Sequence, residues 1–390
     1  MPRLEDAVAY TRDHDFGMVT RTNGIVLARE LRRERIAASP RWDGQRFRNT
    51  HPTPRGDANV PMPSLKDFLC GGERRTPAAP LPLENPLPFW GTSPRSGLRA
   101  TWLGHSTVLL EIDGWRVITD PVWGPRASPS RFVGPKRFQP VPVAMSELPK
   151  LDAVLVSHDH YDHLDYTTMR LLRHVPVPII TSLGVGAHLE AFGIAPERIT
   201  ELDWWESHRV PGTDLTFTAT PSQHFSGRGL SDGNRTLWSS WVIGGERHRA
   251  FFSGDTGLTP EYEETRRRLG PFDLVMLEIG AFHPAWGNIH LGPENALAAH
   301  RMLGGGNLLP IHWGTFNLAL HAWDDPAETL LRLAPASGAR LLMPKLGAPI
   351  EPAHDHVLDP WWRNVERDAK PANTPPAEAS HPREMPWPID

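Results

Sequence analysis

The stretch Ser157-His158-Asp159-His160-Tyr161-Asp162-His163-Leu164-Asp165 limits this chain more than any other, because three imidazoles and two carboxylates occupy positions 158–163. The residues before it, Leu151-Asp152-Ala153-Val154-Leu155-Val156, end in an apolar, β-branched run of the kind that forms a strand buried on both faces. The motif therefore falls in a loop at a strand's C-terminal end, ahead of a helix expected from Tyr166 to about Arg173. His158 and His160, two apart in extended chain, point the same way and can hold one cation. Asp162 and His163 fall past the bend and can hold a second beside it.

The chain has 390 residues, enough for a sizeable core in one to three domains. Its net charge of −4 argues against a nucleic-acid binder, which would carry a basic balance or a basic stripe. Cys70 is the only cysteine, so no thiolate cluster holds a metal and ligation must come from His and carboxylate. The start, Met1-Pro2-Arg3-Leu4-Glu5-Asp6, is not that of a signal peptide, and no run reaches the roughly 18 apolar residues of a membrane span. The expectation is a soluble, cytoplasmic protein.

Residues 1–97 read as an irregular extension, residues 98–350 as the folded domain, and residues 351–390 as a C-terminal segment that is flexible from about 368. Within the extension a helix is expected over Gly24 to Ala38, with Leu27, Ala28, Leu31 and Ala38 on its inner side and Arg29 and Arg33 outside. A Pro- and Arg-rich strap follows, anchored by Trp42, Phe47, Phe68, Phe89 and Trp90. Two strands meet at Asp113-Gly114, a primed hairpin turn. Short apolar runs then alternate with helical ones, the pattern of an α/β fold.

Three further metal-ligand candidates share one placement, just past the ends of such runs. His224 follows the strand ending at Thr220, Asp255 the strand ending at Ser253, and His312 the strand ending at Ile311. Strand ends facing one edge are where separate stretches of chain converge on a site. Seven ligands would then fill two four-coordinate sites: His158, His160 and His224 on the first metal, Asp162, His163 and His312 on the second, and Asp255 bridging both. Nitrogen and oxygen ligation suits two zinc ions best, with iron, manganese or cobalt as alternatives. His105 could lie near the site or simply hydrogen-bond in the core, and His283 and His290 are candidates for orienting substrate or protonating a leaving group.

These motifs resemble the metallo-β-lactamase superfamily in its glyoxalase-type two-metal form. A narrower likeness, to the N-acyl-phosphatidylethanolamine-hydrolysing phospholipase D branch, rests on Thr101-Trp102-Leu103-Gly104-His105-Ser106-Thr107, the central motif, Phe252-Ser253-Gly254-Asp255-Thr256-Gly257, Ile311-His312-Trp313-Gly314-Thr315-Phe316 and Trp238-Ser239-Ser240-Trp241. The extension's Trp42-Asp43-Gly44-Gln45-Arg46-Phe47-Arg48-Asn49 is similar in kind. The resemblance implies a four-layer αββα sandwich with the metals at one edge of its two sheets. It also implies a phospholipid substrate, a homodimer, and peripheral contact with the inner face of a membrane.

Two zinc ions about 3.5 to 4 Å apart lower the pKa of a bridging water from about 15.7 toward roughly 7 and so supply hydroxide at neutral pH. The expected reaction is attack of that hydroxide on a phosphodiester, with Asp162, Asp255 and His290 in the catalytic machinery and an apolar groove beside the metals. A lactonase or a hydrolase of small soluble phosphoesters is the alternative on the same fold. A di-iron redox protein is a weaker one, because His160 stands where redox members carry a carboxylate and no flavin domain follows.

Overall fold

The computed structural model describes residues 26–368 except 54–55, 58, 65, 68–73, 131 and 355. Cys70, the first two residues of the expected helix, the Phe68 anchor and the tail beyond 368 lie outside the described residues.

Two seven-stranded sheets form the domain. The first contains β1 (Leu98–Gly104), β2 (Thr107–Ile112), β3 (Trp115–Thr119), β4 (Ala153–Val156), β5 (Ile179–Ser182) and β6 (Ile199–Leu202) side by side, with β14 (Pro349–Ile350) beyond β1. The second runs β13 (Arg340–Leu341), β12 (Asn307–Ile311), β11 (Leu274–Glu278), β10 (Arg249–Phe252), β9 (Ser240–Gly244), β8 (Thr216–Thr220), β7 (Ser207–Arg209). Both sheets follow one plan. Strands β14-β1-β2-β3 and β7-β8-β9-β10 pair antiparallel, whereas β3-β4-β5-β6 and β10-β11-β12-β13 pair parallel. The β2–β3 hairpin turns at Asp113 and Gly114, with φ of 49° and 90°, the left-handed pair that the Asp-Gly sequence favours.

Alternation of side chains explains why the apolar runs are continuous. In β4, Ala153 and Leu155 join the core between the sheets, while Val154 and Val156 face a second core beneath helices Tyr166–Leu172 and Gly186–Ala191. Across the inner core, Trp102, Val108 and Leu110 share a cluster with Phe217, Trp241, Phe252 and Met276 of the other sheet. Burial of each such side chain contributes about 1.5–3 kcal/mol. Helices Glu261–Leu269, Gly292–Met302 and Asp325–Ser337 belong with the second sheet, completing the αββα layers.

One expectation is corrected. The helix at residues 26–38 docks through a cation: Arg32 is 7% exposed and pairs with Glu190 at 2.5 Å and Glu201 at 2.6 Å, whereas Leu27 and Leu31 face solvent at 57% and 50% exposure. Glu201 on the edge strand β6 and Glu190 on the helix Gly186–Ala191 draw in the guanidinium, and that attraction outweighs the burial of two leucines. Residues 356–365 of the C-terminal segment pack on the domain. Trp361 and Trp362 are buried, pack against Trp313 at ring distances of 5.7 and 5.6 Å, and lead into helix Trp362–Asp368.

Candidate metal centre

Strands β3 and β4 of the first sheet and β8, β10 and β12 of the second end at the same edge, and the chain leaves those ends in loops that carry the site. After β4, Ser157 is locked to Asp120, the residue following β3. Its N–H and hydroxyl donate to the two Asp120 carboxylate oxygens at 2.7 Å each. His163 and Leu164 then donate backbone N–H groups to the His160 carbonyl at 3.1 and 2.8 Å, which makes the bend between the two halves of the motif. From the second sheet come His224 after β8, Asp255 after β10 and His312 after β12.

Among the described residues three overlapping groups of polar atoms result, each with its ligand atoms within 4.8 Å of one another: His158, His160, His224 and Asp255 in the first, His105, Asp162, His163 and His312 in the second, and Asp255, Glu278, His290 and His312 in a third that borders both. In the first, His158 Nε2 and His224 Nε2 lie 2.8 and 3.3 Å from His160 Nδ1. Asp255 stands between the first two groups. Its Oδ2 is 3.9 Å from His158 Nε2 and 3.7 Å from His224 Nε2, and its Oδ1 is 3.1 Å from both His163 Nε2 and His312 Nε2. Asp162 Oδ2 closes the second group at 3.5 Å from His163 and 3.3 Å from His312.

The hydrogen bonds behind the rings set their direction. The Nδ1–H of His158 donates to the Ser157 hydroxyl at 2.9 Å, that of His163 to Asp120 at 2.7 Å, and that of His224 to the Ile289 carbonyl at 2.8 Å. In that tautomer each Nε2 directs a lone pair inward. His163 Nε2, His312 Nε2 and Asp255 Oδ1 are buried without a hydrogen-bond partner. An unsatisfied buried atom costs about 1–3 kcal/mol, and a cation among these lone pairs removes that cost. The donor set therefore fits divalent metal.

The first two groups differ electrostatically. Burial and neighbouring imidazoles push His158 and His224 well below the ordinary histidine range, and burial lowers His160 as well. In the other group burial opposes charge, yet Asp255 and Asp162 raise His163 and bring His312 up to about 10. Burial likewise opposes ionisation of Asp162 and Asp255, but the adjacent imidazoles hold both carboxyls well below their usual range.

His290 joins the edge, its ring 5.0 Å from that of His224 and 5.5 Å from that of His312. His283 does not reach these groups among the described contacts; its Nδ1 caps the turn at Pro284–Trp286 by accepting from Ala285 N–H. Four functional neighbours escaped sequence reasoning or were left undecided by it. His105, at φ 53° in the turn after β1, bonds Asp162 Oδ2 at 2.9 Å. Asp120 supports Ser157 and His163, and Glu278 ends β11 with its Oε2 2.7 Å from His290 Nδ1 and 3.8 Å from His312 Nδ1. A lone carboxylate closing the apolar strand Leu274–Glu278 was a readable signal; Asn49, whose amide meets the backbone of His224, carried only the likeness of its segment Trp42–Asn49. Phe225, 41% exposed, stands 4.6 Å from the His160 ring and 4.7 Å from that of His224, giving the site an apolar flank.

The sequence profile of the β-lactamase superfamily domain matches residues 115–313. An uncharacterised protein of Mycobacterium tuberculosis is 49% identical over 291 residues, which are 74% of this chain and 77% of that protein. The N-acyl-phosphatidylethanolamine-hydrolyzing phospholipase D 1 of Caenorhabditis elegans is 42% identical over 252 residues, 62% of this chain and 71% of its own. Among solved structures, the isothiocyanate hydrolase from Delia radicum gut bacteria shares the fold with a TM-score of 0.51 at 21% identity, covering 65% of this chain and 98% of that one.

Proposed function

The chain belongs to the β-lactamase superfamily of metal-dependent hydrolases, and from that premise we propose that it is a zinc-dependent phosphodiesterase that cleaves N-acyl phosphatidylethanolamine, or a related phospholipid, on the alcohol side of phosphorus. The observation that carries the reading is Asp255, whose two carboxylate oxygens face two separate groups of imidazoles. His158, His160, His224 and Asp255 Oδ2 would hold one ion; Asp162, His163, His312 and Asp255 Oδ1 the other. When bound, such a pair supplies a nucleophile from water near neutral pH and polarises the phosphoryl oxygens.

The chain's own groups account for the rest. Glu278 fixes Nδ1 of His290, so the other ring nitrogen is the one presented to substrate. His283 serves the same loop by capping its first turn. Phe225, exposed beside the rings of His160 and His224, offers apolar surface at the centre, which suits an acylated substrate better than a soluble one. Among the described residues no helix is long and apolar enough to cross a membrane. Peripheral contact with lipid at the inner membrane face and a homodimer belong to this reading through the phospholipase resemblance alone.

The test is hydrolysis by metal-analysed protein of N-acyl phosphatidylethanolamine, phosphatidylcholine, a soluble aryl phosphodiester and a lactone, each before and after chelation. Chelator-sensitive release of phosphatidic acid and N-acylethanolamine is the expected result. Turnover of the lactone or the soluble diester alone would transfer the function to the lactonase or small-phosphoesterase reading, and turnover indifferent to chelation would remove the metals from it.

A further inference from the structure

His224 lies in an irregular loop after β8, where neither of its backbone groups is paired in a sheet. Both are met by one side chain from 175 positions earlier. The Asn49 amide donates to the His224 carbonyl at 2.9 Å and accepts the His224 N–H at 3.1 Å, as a neighbouring strand would. The same amide oxygen accepts the Trp238 indole N–H at 2.9 Å, and the amide nitrogen donates to the Thr53 hydroxyl at 3.1 Å. Every polar atom of the side chain is engaged.

The strap around Asn49 is itself tied down. Phe47 is fully buried among Leu183, Trp204, Leu237 and Trp238, and its N–H donates to the Asn234 carbonyl at 2.8 Å. Gln223 donates to the His51 carbonyl and the Thr53 hydroxyl at 3.3 and 3.2 Å. Farther on, the Asp57 N–H donates to the Pro284 carbonyl at 3.0 Å, and a Cβ added at Gly56 would come within 2.1 Å of the Ala285 carbonyl oxygen. One short segment thus touches both the His224 loop and the loop that leads to His290.

We propose that the N-terminal strap is a working part of the metal centre, with Asn49 as the positioning residue that holds His224 in the three-histidine group. This inference rests on the ligand assignment above. Asparagine is the side chain this geometry demands. Aspartate has the same shape but turns a carboxylate toward the His224 carbonyl, and serine is too short to meet both backbone groups. Loss of the clamp frees the His224 backbone while leaving His163, His312 and Asp162 untouched, so its effect falls on one ion. Supporting groups of metal ligands are worth about 10–100-fold in affinity.

The experiment is competitive loading of the full chain with Co2+, followed by visible absorption, for wild type, Asn49→Asp and Asn49→Ala, with a thermal melt on each. Wild type should take up two ions. Both variants should bind one of them at least tenfold more weakly, with the corresponding part of the cobalt spectrum altered and the other part retained. Two ions bound as in wild type by both variants would overturn the inference, as would equal weakening of both ions, which marks a general loss of fold. Wild type that binds fewer than two ions would instead defeat the two-metal reading on which the inference stands.

Discussion

The two sheets share a plan of strands but supply the centre in opposite ways. The first delivers four candidate ligands from one bend of six residues, 158–163, and supports them with a single buried carboxylate, Asp120. The second delivers His224, Asp255 and His312 one at a time, from the ends of β8, β10 and β12, spread over 89 positions, from 224 to 312. Its buried carboxylate, Glu278, spans several loops at once: besides His290 and His312 it accepts the Thr256 N–H at 2.7 Å, next to Asp255. A contiguous loop can be organised by local hydrogen bonds, whereas scattered ligands need a rigid frame of strands to bring them together.

Variants can break or sharpen that contrast. The largest effect is expected from Asp255→Ala, which removes the contact common to both groups. Hydrolysis should fall to background and both ions should be lost while the far-ultraviolet circular dichroism stays as in wild type. Full turnover in the metal-analysed variant would refute the bridging role. Asp120→Asn is expected to come next and to act on the first sheet's loop. His163 loses its charged acceptor directly and His158 only through Ser157, so the ion shared by His163, Asp162 and His312 should bind about 10–100-fold more weakly and the three-histidine ion should weaken less, measurable by competition with a chromogenic chelator. Equal weakening of the three-histidine ion would show that the two groups are not separately supported.

The smallest of these effects is expected from Glu278→Gln, where the amide keeps the shape and an acceptor oxygen. Turnover should fall by about tenfold, a cost of roughly 1.4 kcal/mol or one charge-assisted hydrogen bond, with both ions retained and KM little changed. Loss of an ion in this variant would move Glu278 from the support of His290 to the support of His312, and would make the second sheet as dependent on one carboxylate as the first.

The contrast between the sheets also governs how much could be read in advance. The β4 strand, the bend after it and the helix from Tyr166 were legible because apolar run, ligand cluster and the Asp165 cap, which accepts from Thr168 N–H at 2.9 Å, follow one another locally. His224, Asp255 and His312 were legible only as a shared placement past strand ends. The short strands Ile199–Leu202 and Ser207–Arg209 carry half-exposed polar residues and show no apolar run. The helix at 26–38 offered a leucine side that suggested burial, but the partners of Arg32, Glu190 and Glu201, are 158 and 169 positions away and invisible to periodicity.

By itself the amino-acid sequence determined the inventory of candidate ligands, the strands that carry it and the direction in which His158, His160 and His163 leave their loop, since each follows from spacing over a few residues. Tertiary structure alone decided that Asp255 stands between the two groups, that His105 and Glu278 belong to the edge, and that a strap asparagine meets His224. These are contacts across tens to hundreds of positions. Such pairings depend on how two sheets and an extension pack in space, and packing is settled by the whole core rather than by any local pattern.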